Sequence, residues 1–318
     1  MRRSLLALLV AAAVVAPSAS AQDPPSEEPP RIAEGVTVSG VAVAGMTAEE
    51  ARAALRAFFA RRVPFRFKTR RWTVSPGYLG ARPDVVGAVG RALAAAPGAA
   101  LTLVVSVDRT RVASYVAYLD RAYSRRVRNS VLSLRDLRPY LTRARPGIDV
   151  RRFAMRGSIA RALWRNMRDV LPLRVRYIWP TVTRGNYGPV VVVRRGSRRL
   201  YLYSGMRFVR RFAIAVGMPR YPTPLGRFRI VVKERNPTWN PPDSDWAAGA
   251  SPIPPGPNNP LGTRWMGLSA PGIGIHGTPQ PWTIGSAASH GCIRMYISQS
   301  EWLFERVRVG TTVYIVRP

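Results

Sequence analysis

The sequence predicts a mixed α+β region followed by a mostly-β domain with one clear helix close to its end. Three observations carry this. Residues 32 to about 180 alternate strand-like apolar runs with apolar stripes at helical spacing. From Gly188 onward the pattern becomes short β-branched and aromatic runs separated by Gly- and Pro-bearing turns. One helical stripe, Trp302, Leu303 and Val307, then follows the chain's single cysteine. A length of 318 residues allows two domains at roughly 150 residues each. A 47% hydrophobic content is enough to give each a core.

In chain order, Arg2 and Arg3 precede an unbroken apolar run, Leu5 to Ala16, and a small-residue Ala19-Ser20-Ala21 site. This predicts a secretory signal over 1–21. The run is shorter than the roughly 20 residues a membrane span needs, so no mature transmembrane span is expected. Residues 22–31, with four prolines, read as an extended linker. Val36 to Val43 are strand-like, and Thr47 with Glu50 forms a capping box for a helix whose apolar face is Ala51, Ala54, Leu55, Phe58 and Phe59. Val63–Phe67, Trp72–Val74 and Leu101–Val107 read as strands, and Val112, Tyr115, Val116, Leu119 and Tyr123 as a helical stripe. Asp149 is placed to cap a further helix running through Leu163, and Leu171–Trp179 is extended again. Residues 32–184 are thus expected to form one α+β region, with room for two small units.

Downstream, Val190–Val193 and Leu200–Tyr203 flank Arg195-Gly196-Ser197-Arg198 as a hairpin. Phe212–Val216 and Phe228–Val232 are strands, and the prolines of Tyr221–Gly226 force a shaped loop between them. Residues 236–259, rich in Pro, Asn and Asp, make a loop long enough to suggest function. Ile273 and Ile275 deliver His276 at a strand end. Ser298 with Glu301 is expected to cap the helix after the cysteine, Gly310 to stop it, and Thr312–Val316 to close the domain as a strand.

The net charge is +32, and Lys68 and Lys233 are the only lysines, so the excess is arginine. Such a field attracts polyanions, anionic wall polymers among them for an exported protein, or is simply a solvated surface. One cysteine excludes an internal disulfide, and an exported free thiol invites oxidation unless it has a use.

That thiol, Cys292, lies within 17 residues of both histidines of the chain, His276 and His290. Thiol and imidazole are the parts of a nucleophile–base pair. Either histidine is a candidate base: His290 is two residues away, whereas His276 comes from a separate strand. Gly291 permits close backbone approach, so amides near Gly291 and Cys292 can face a developing oxyanion. Arg294 is a cation placed for a substrate carboxylate or for favouring the thiolate. The competing chemistry is a three-ligand zinc site of His276, His290 and Cys292, against which stands the uncommon His-x-Cys spacing.

His276-Gly277-Thr278 followed by Ser289-His290-Gly291-Cys292-Ile293-Arg294-Met295 resembles the signature of L,D-transpeptidases with a YkuD-type catalytic domain. Pro222-Thr223-Pro224-x-Gly226, Asn236-Pro237-Thr238-Trp239, Asn259-Pro260-Leu261-Gly262 and Val309-Gly310-Thr311 support it in order. The resemblance covers residues 188–318. It implies a mostly-β catalytic fold, Cys292 as nucleophile, His276 as general acid/base, His290 as auxiliary, and Gly291 backbone in the oxyanion hole. Arg294, Ser289 and Gly277 would contact substrate. The substrate would be a peptidoglycan stem peptide, with terminal D-alanine released and a 3–3 cross-link formed through a thioester, or another amine attached. No metal or organic cofactor is implied, and no nucleic acid partner. Residues 32–184 resemble, weakly, a peptidoglycan-binding region and otherwise serve as a spacer. The alternatives are an L,D-carboxypeptidase, with water as acceptor, and a non-enzymatic basic wall-binding protein. A sortase-like enzyme lacks the Ser-His-Gly-Cys core, and a papain-like one places its cysteine before its histidine.

Overall fold

A computed structural model describes residues 28–318. The expected signal segment and most of the linker lie outside the described residues. No described helix is long and apolar enough to cross a membrane.

The described chain divides into two compact units: 28–116 with 153–173, and 117–152 with 174–318. The boundary expected between 184 and 188 falls inside the second of these units. Residues 32–184 contribute to both units, and the unit bearing the cysteine is larger than 188–318.

In the first unit Thr37–Val38 and Val41–Ala42 form a tight hairpin, with Ala100–Leu101 parallel to its first strand. The helix Ala48–Ala60 starts at Thr47 with the full reciprocal capping box to Glu50, burying Ala51, Leu55 and Phe59 as the spacing requires. Val63–Phe67 pairs with Arg70–Val74 and with Leu171–Pro172. The single strand expected over Leu101–Val107 is two short ones, Ala100–Leu101 and Val105–Val107, in different sheets. Asp149 does not cap a helix. It lies in the strand Gly147–Val150 of the second unit and pairs with Arg176 at 2.9 Å, and the helix begins later, at Arg152.

The second unit is built on an eight-stranded sheet. Its order is Arg207–Ala213, Arg199–Ser204, Pro189–Arg194, Thr312–Val316, Gly226–Arg235, Arg264–Leu268, Gly274–Gly277, Ile293–Met295. The expected hairpin is present: Val190–Val193 pair with Leu200–Tyr203. The closing strand is parallel to Pro189–Arg194 and antiparallel to Gly226–Arg235, so it joins the two halves of the sheet. Strand alternation sends Val191, Val193, Leu200 and Leu202 into a core shared with Ile230, Met266, Ile275, Ile293 and Val313. Val190, Val192 and Tyr203 face the other way and pack against Leu132, Leu141 and Tyr314.

The helix after the cysteine is Ile297–Phe304. It starts one residue before Ser298 and has no side-chain cap, because Glu301 is engaged elsewhere: it accepts from Thr263 Oγ1 at 2.7 Å. Gly310, at φ +90°, turns the chain toward the closing strand and does not end the helix, which stops at Phe304. Lys233 Nζ finishes that helix by donating to the Phe304 and Val307 carbonyls, 2.7 Å each.

Candidate active site

His276 and Cys292 reach one cleft from adjacent strands. Gly274–Gly277 and Ile293–Met295 run parallel, with His276 opposite Arg294 and Ile275 opposite Ile293. Cys292 is therefore the residue that enters the second strand, beside the strand that carries His276. The cleft encloses about 320 Å³ and is lined by Cys292, His276, His290, Arg294, Trp246 and Trp265 among others.

His276 is buried, and its Nδ1 lies 2.5 Å from the Gly277 carbonyl. A carbonyl oxygen only accepts, so Nδ1 carries the proton and Nε2 keeps its lone pair. Burial lowers the imidazole pKa to about 4, outweighing the opposing effect of that hydrogen bond, with the Arg294 cation lowering it further. Burial likewise pushes the Cys292 thiol up, more than a backbone hydrogen bond and Arg294 pull it down. The resting pair is thus neutral thiol and neutral imidazole. The thiol is partly exposed and donates to the Gly272 carbonyl at 3.5 Å, not to the imidazole.

The Cys292 turn is held by its own neighbours. Ser289 Oγ donates to the Cys292 carbonyl at 2.6 Å and accepts the Gly291 amide at 3.2 Å. Gly291 sits at φ +114°, a conformation that favours glycine, and a Cβ there would lie 2.8 Å from Ile273 Cδ1. Ser289 shapes the turn with both hydrogen bonds of its hydroxyl and also lines the cleft. One expectation changes accordingly. The Gly291 amide, already bonded to Ser289, is not a free oxyanion donor.

Gly277 is a positioning residue. Its carbonyl fixes the His276 tautomer, and a Cβ on it would lie 2.9 Å from Ser300 Oγ on the following helix. Arg294 projects into the cleft, with Nη1 donating to Gln280 Oε1 at 3.2 Å and a buried Nε that finds no protein partner.

His290 takes a separate place. Its ring stacks on Trp246, centroids 4.0 Å apart and planes 10° apart, and meets Tyr221 at 5.0 Å. Burial lowers its pKa, and Arg294 adds to this. Trp246 comes from the long loop 236–259, which is a folded flap. Trp239 and Ile253 bridge its two arms with a reciprocal pair of 2.9 Å backbone bonds, and a short 3-10 turn, Asp245–Ala247, presents the indole. Asn259, fully buried, ties the base: Nδ2 donates to the Pro237, Ile253 and Pro254 carbonyls at 2.8, 3.0 and 3.1 Å, and Oδ1 accepts from Leu261 N at 2.8 Å. Thr223 anchors the proline loop in a similar way, its hydroxyl accepting from Gly217 N at 2.8 Å.

Among the described residues no three of His, Cys, Asp or Glu are grouped to hold a metal ion. His276, His290 and Cys292 are not so grouped among the described residues.

The sequence profile of the YkuD family, described as the L,D-transpeptidase catalytic domain, matches residues 188–315. YqjB of Bacillus subtilis, which bears an L,D-transpeptidase name, is 34% identical over 144 residues, 43% of this chain and 77% of that protein. The chain belongs to the L,D-transpeptidase family. YkuD of Bacillus subtilis is 35% identical over 127 residues, covering 40% of this chain and 65% of the relative. The NMR structure of the catalytic domain of an E. faecium L,D-transpeptidase is 26% identical and covers 40% of this chain and 95% of that one. Its TM-score of 0.33 is too low to transfer any detail of the site. The matched residues include the sheet strand that carries His276 and the Cys292 turn.

Trp246, Tyr221, Trp265 and Asn259 are the parts of this site that spacing did not single out. The Pro- and Asp-rich composition of 236–259 marked the loop, but no local pattern says which of its aromatics turns inward.

Proposed function

We propose that this protein is an exported L,D-transpeptidase in which Cys292 is the nucleophile and His276 the general acid/base. The observation that carries this reading is His276 Nδ1 on the Gly277 carbonyl, which leaves Nε2 as a lone pair in the cleft that Cys292 enters from the adjacent strand. The donor is a tetrapeptide stem of peptidoglycan. On its arrival the thiol leaves the Gly272 carbonyl and gives its proton to His276 Nε2. The thiolate attacks the carbonyl carbon of the third stem residue. The tetrahedral oxyanion is stabilised by backbone amide and by the field of Arg294, the Cys292 amide being the donor that remains once Gly291 is bonded to Ser289. Collapse breaks the bond to terminal D-alanine, whose nitrogen takes the proton back from His276, and leaves a thioester on Cys292. An amine of a second stem attacks the thioester, passes a proton to His276, and releases the thiol with a 3–3 cross-link formed. The aromatic flap favours this course by keeping bulk water from the thioester. The segment before residue 188 serves to bind or to space the catalytic unit at the wall.

The test is mass spectrometry of a purified disaccharide-tetrapeptide incubated with the protein. Loss of alanine with dimer formation is expected. Loss of alanine without dimer would give water as the acceptor. No reaction, or a reaction retained by Cys292→Ala, would overturn the assignment.

A further inference from the structure

Five arginines outside the site described above converge on one surface cleft. Arg125, Arg126, Arg128, Arg143 and Arg145 line a cavity of about 690 Å³, and the other two lining residues are Ala144 and Pro146. No carboxylate lines it. Some arginines elsewhere in the second unit have side-chain partners, Arg235 with Glu305, Arg176 with Asp149, Arg184 with the Leu141 carbonyl and Arg135 with the Tyr140 ring, and others, such as Arg199, Arg207 and Arg211, stand singly on exposed strands. Among the described residues, none of the five has an acid, carbonyl or ring as a side-chain partner.

The backbone that presents them is fixed. Residues 125–128 and 145–148 are zipped antiparallel by four bonds of 2.8–2.9 Å, Arg125 with Ile148 and Arg128 with Arg145. The two segments are close enough that a Cβ on Gly147 would meet Val127 N at 2.7 Å. The ladder uses only main-chain groups, so the five guanidinium groups contribute nothing to holding it. A composition rich in arginine accounts for many exposed cations, but not for gathering five around one cavity with no counter-charge. Like charges so placed repel, and the repulsion is relieved when an anion enters.

We propose that this cleft binds a phosphate-bearing polyanion. Guanidinium forks match phosphate oxygens two at a time, and a tetrahedral phosphate accepts from several forks at once. One phosphate carries a charge of about −1.5 to −2, well short of neutralising five cations, so the occupant presents at least two phosphates along a chain or an array. The shared chemistry is met by a soluble phosphate polymer or by the headgroups of an anionic lipid surface.

The test is titration of the full chain with a short inorganic polyphosphate by calorimetry at low and at physiological salt. Wild type should bind saturably, more weakly as salt rises. The triple variant Arg126→Gln, Arg128→Gln, Arg143→Gln should bind at least tenfold more weakly. The charge-matched triple Arg199→Gln, Arg207→Gln, Arg211→Gln, on exposed strands of the same unit, should stay within twofold of wild type. Circular dichroism and melting should leave all three folded alike. Phosphatidylglycerol vesicles captured by wild type and lost by the site triple give a lipid surface as the source; polyphosphate binding without vesicle binding gives a free polymer. Equal weakening in the two triples, no saturable binding, or a polyglutamate of equal charge binding as tightly as polyphosphate would each overturn the proposal.

Discussion

The indole of Trp246 lies flat on the imidazole of His290, ring centroids 4.0 Å apart, so the flap 236–259 rests on the turn that carries the nucleophile. Trp246→Ala removes this stack while the Trp239–Ile253 bridge and the Asn259 clasp remain. We expect melting to change by less than about 1 kcal/mol, the size of an exposed aromatic pair. KM for the stem peptide should rise severalfold, and proteolysis within 240–252 should quicken. An unchanged KM with unchanged proteolysis would show that the stack does not hold the flap.

His276 makes stability depend on acid. Its folded pKa, about 4, lies below the ordinary value of 6.5, so the unfolded chain binds the extra proton in between. Its contribution is complete above pH 6.5 and is lost as pH falls toward 4, amounting to about 3 kcal/mol. Melting curves between pH 7 and pH 4 should therefore fall more steeply for wild type than for His276→Gln. The acid limb of kcat/KM should lie near pH 4 for the same reason.

Cys292 should be a slow nucleophile without substrate. Burial holds its thiol above the usual range and its hydrogen bond goes to Gly272, so the free protein carries little thiolate at neutral pH. Iodoacetamide labelling is expected to be slower than for an exposed thiol and to rise with pH past the range of an ordinary cysteine. Rapid labelling at pH 7 would mean a thiolate–imidazolium pair instead.

Gly291→Ala tests the turn. A non-glycine residue at φ +114° costs on the order of 1–3 kcal/mol, and the added Cβ crowds Ile273. We expect lower melting and at least a tenfold loss of activity. Pairing it with Ile273→Ala removes the crowding but not the strain, so activity should not return; full recovery would assign the cost to packing alone.

Asn259→Ala leaves the Pro237 and Pro254 carbonyls without their donor, while the Ile253 carbonyl keeps Trp239 N. Burying unsatisfied groups costs about 1–3 kcal/mol. A melting drop of that size should appear together with faster cleavage between 237 and 258. Loss of stability without faster cleavage would place the damage outside the flap.

The sequence was legible where one local rule decides the outcome. Thr47 with Glu50 gave the first long helix its start, and alternation in Val190–Val193 and Leu200–Tyr203 gave the hairpin. The same capping rule failed at Ser298 because Glu301 bonds to Thr263, from a segment 38 residues away. Asp149 failed as a cap because its carboxylate meets Arg176 across a strand pair. The cysteine and histidines announced the chemistry, but their division of labour did not follow from spacing. The proposed division rests on the family resemblance, with the parallel pairing of the His276 and Ile293 strands and Trp246 arriving out of a loop in support. The 117–152 segment joined the second unit through contacts such as the Tyr314 hydroxyl on the Leu132 carbonyl, 182 residues apart, which no local window contains.

Thr312–Val316 lies in the middle of the sheet, between Pro189–Arg194 and Gly226–Arg235. This strand therefore joins two strands that precede it by a long stretch of chain. During synthesis the strands bearing His276 and Cys292 have only half a sheet to pair with until the chain has been extended past Val316. Such long-range closure is slow relative to local pairing. The thiol and its base are thus assembled late, and a chain interrupted before that point would carry every residue of the chemistry without the frame that aligns them.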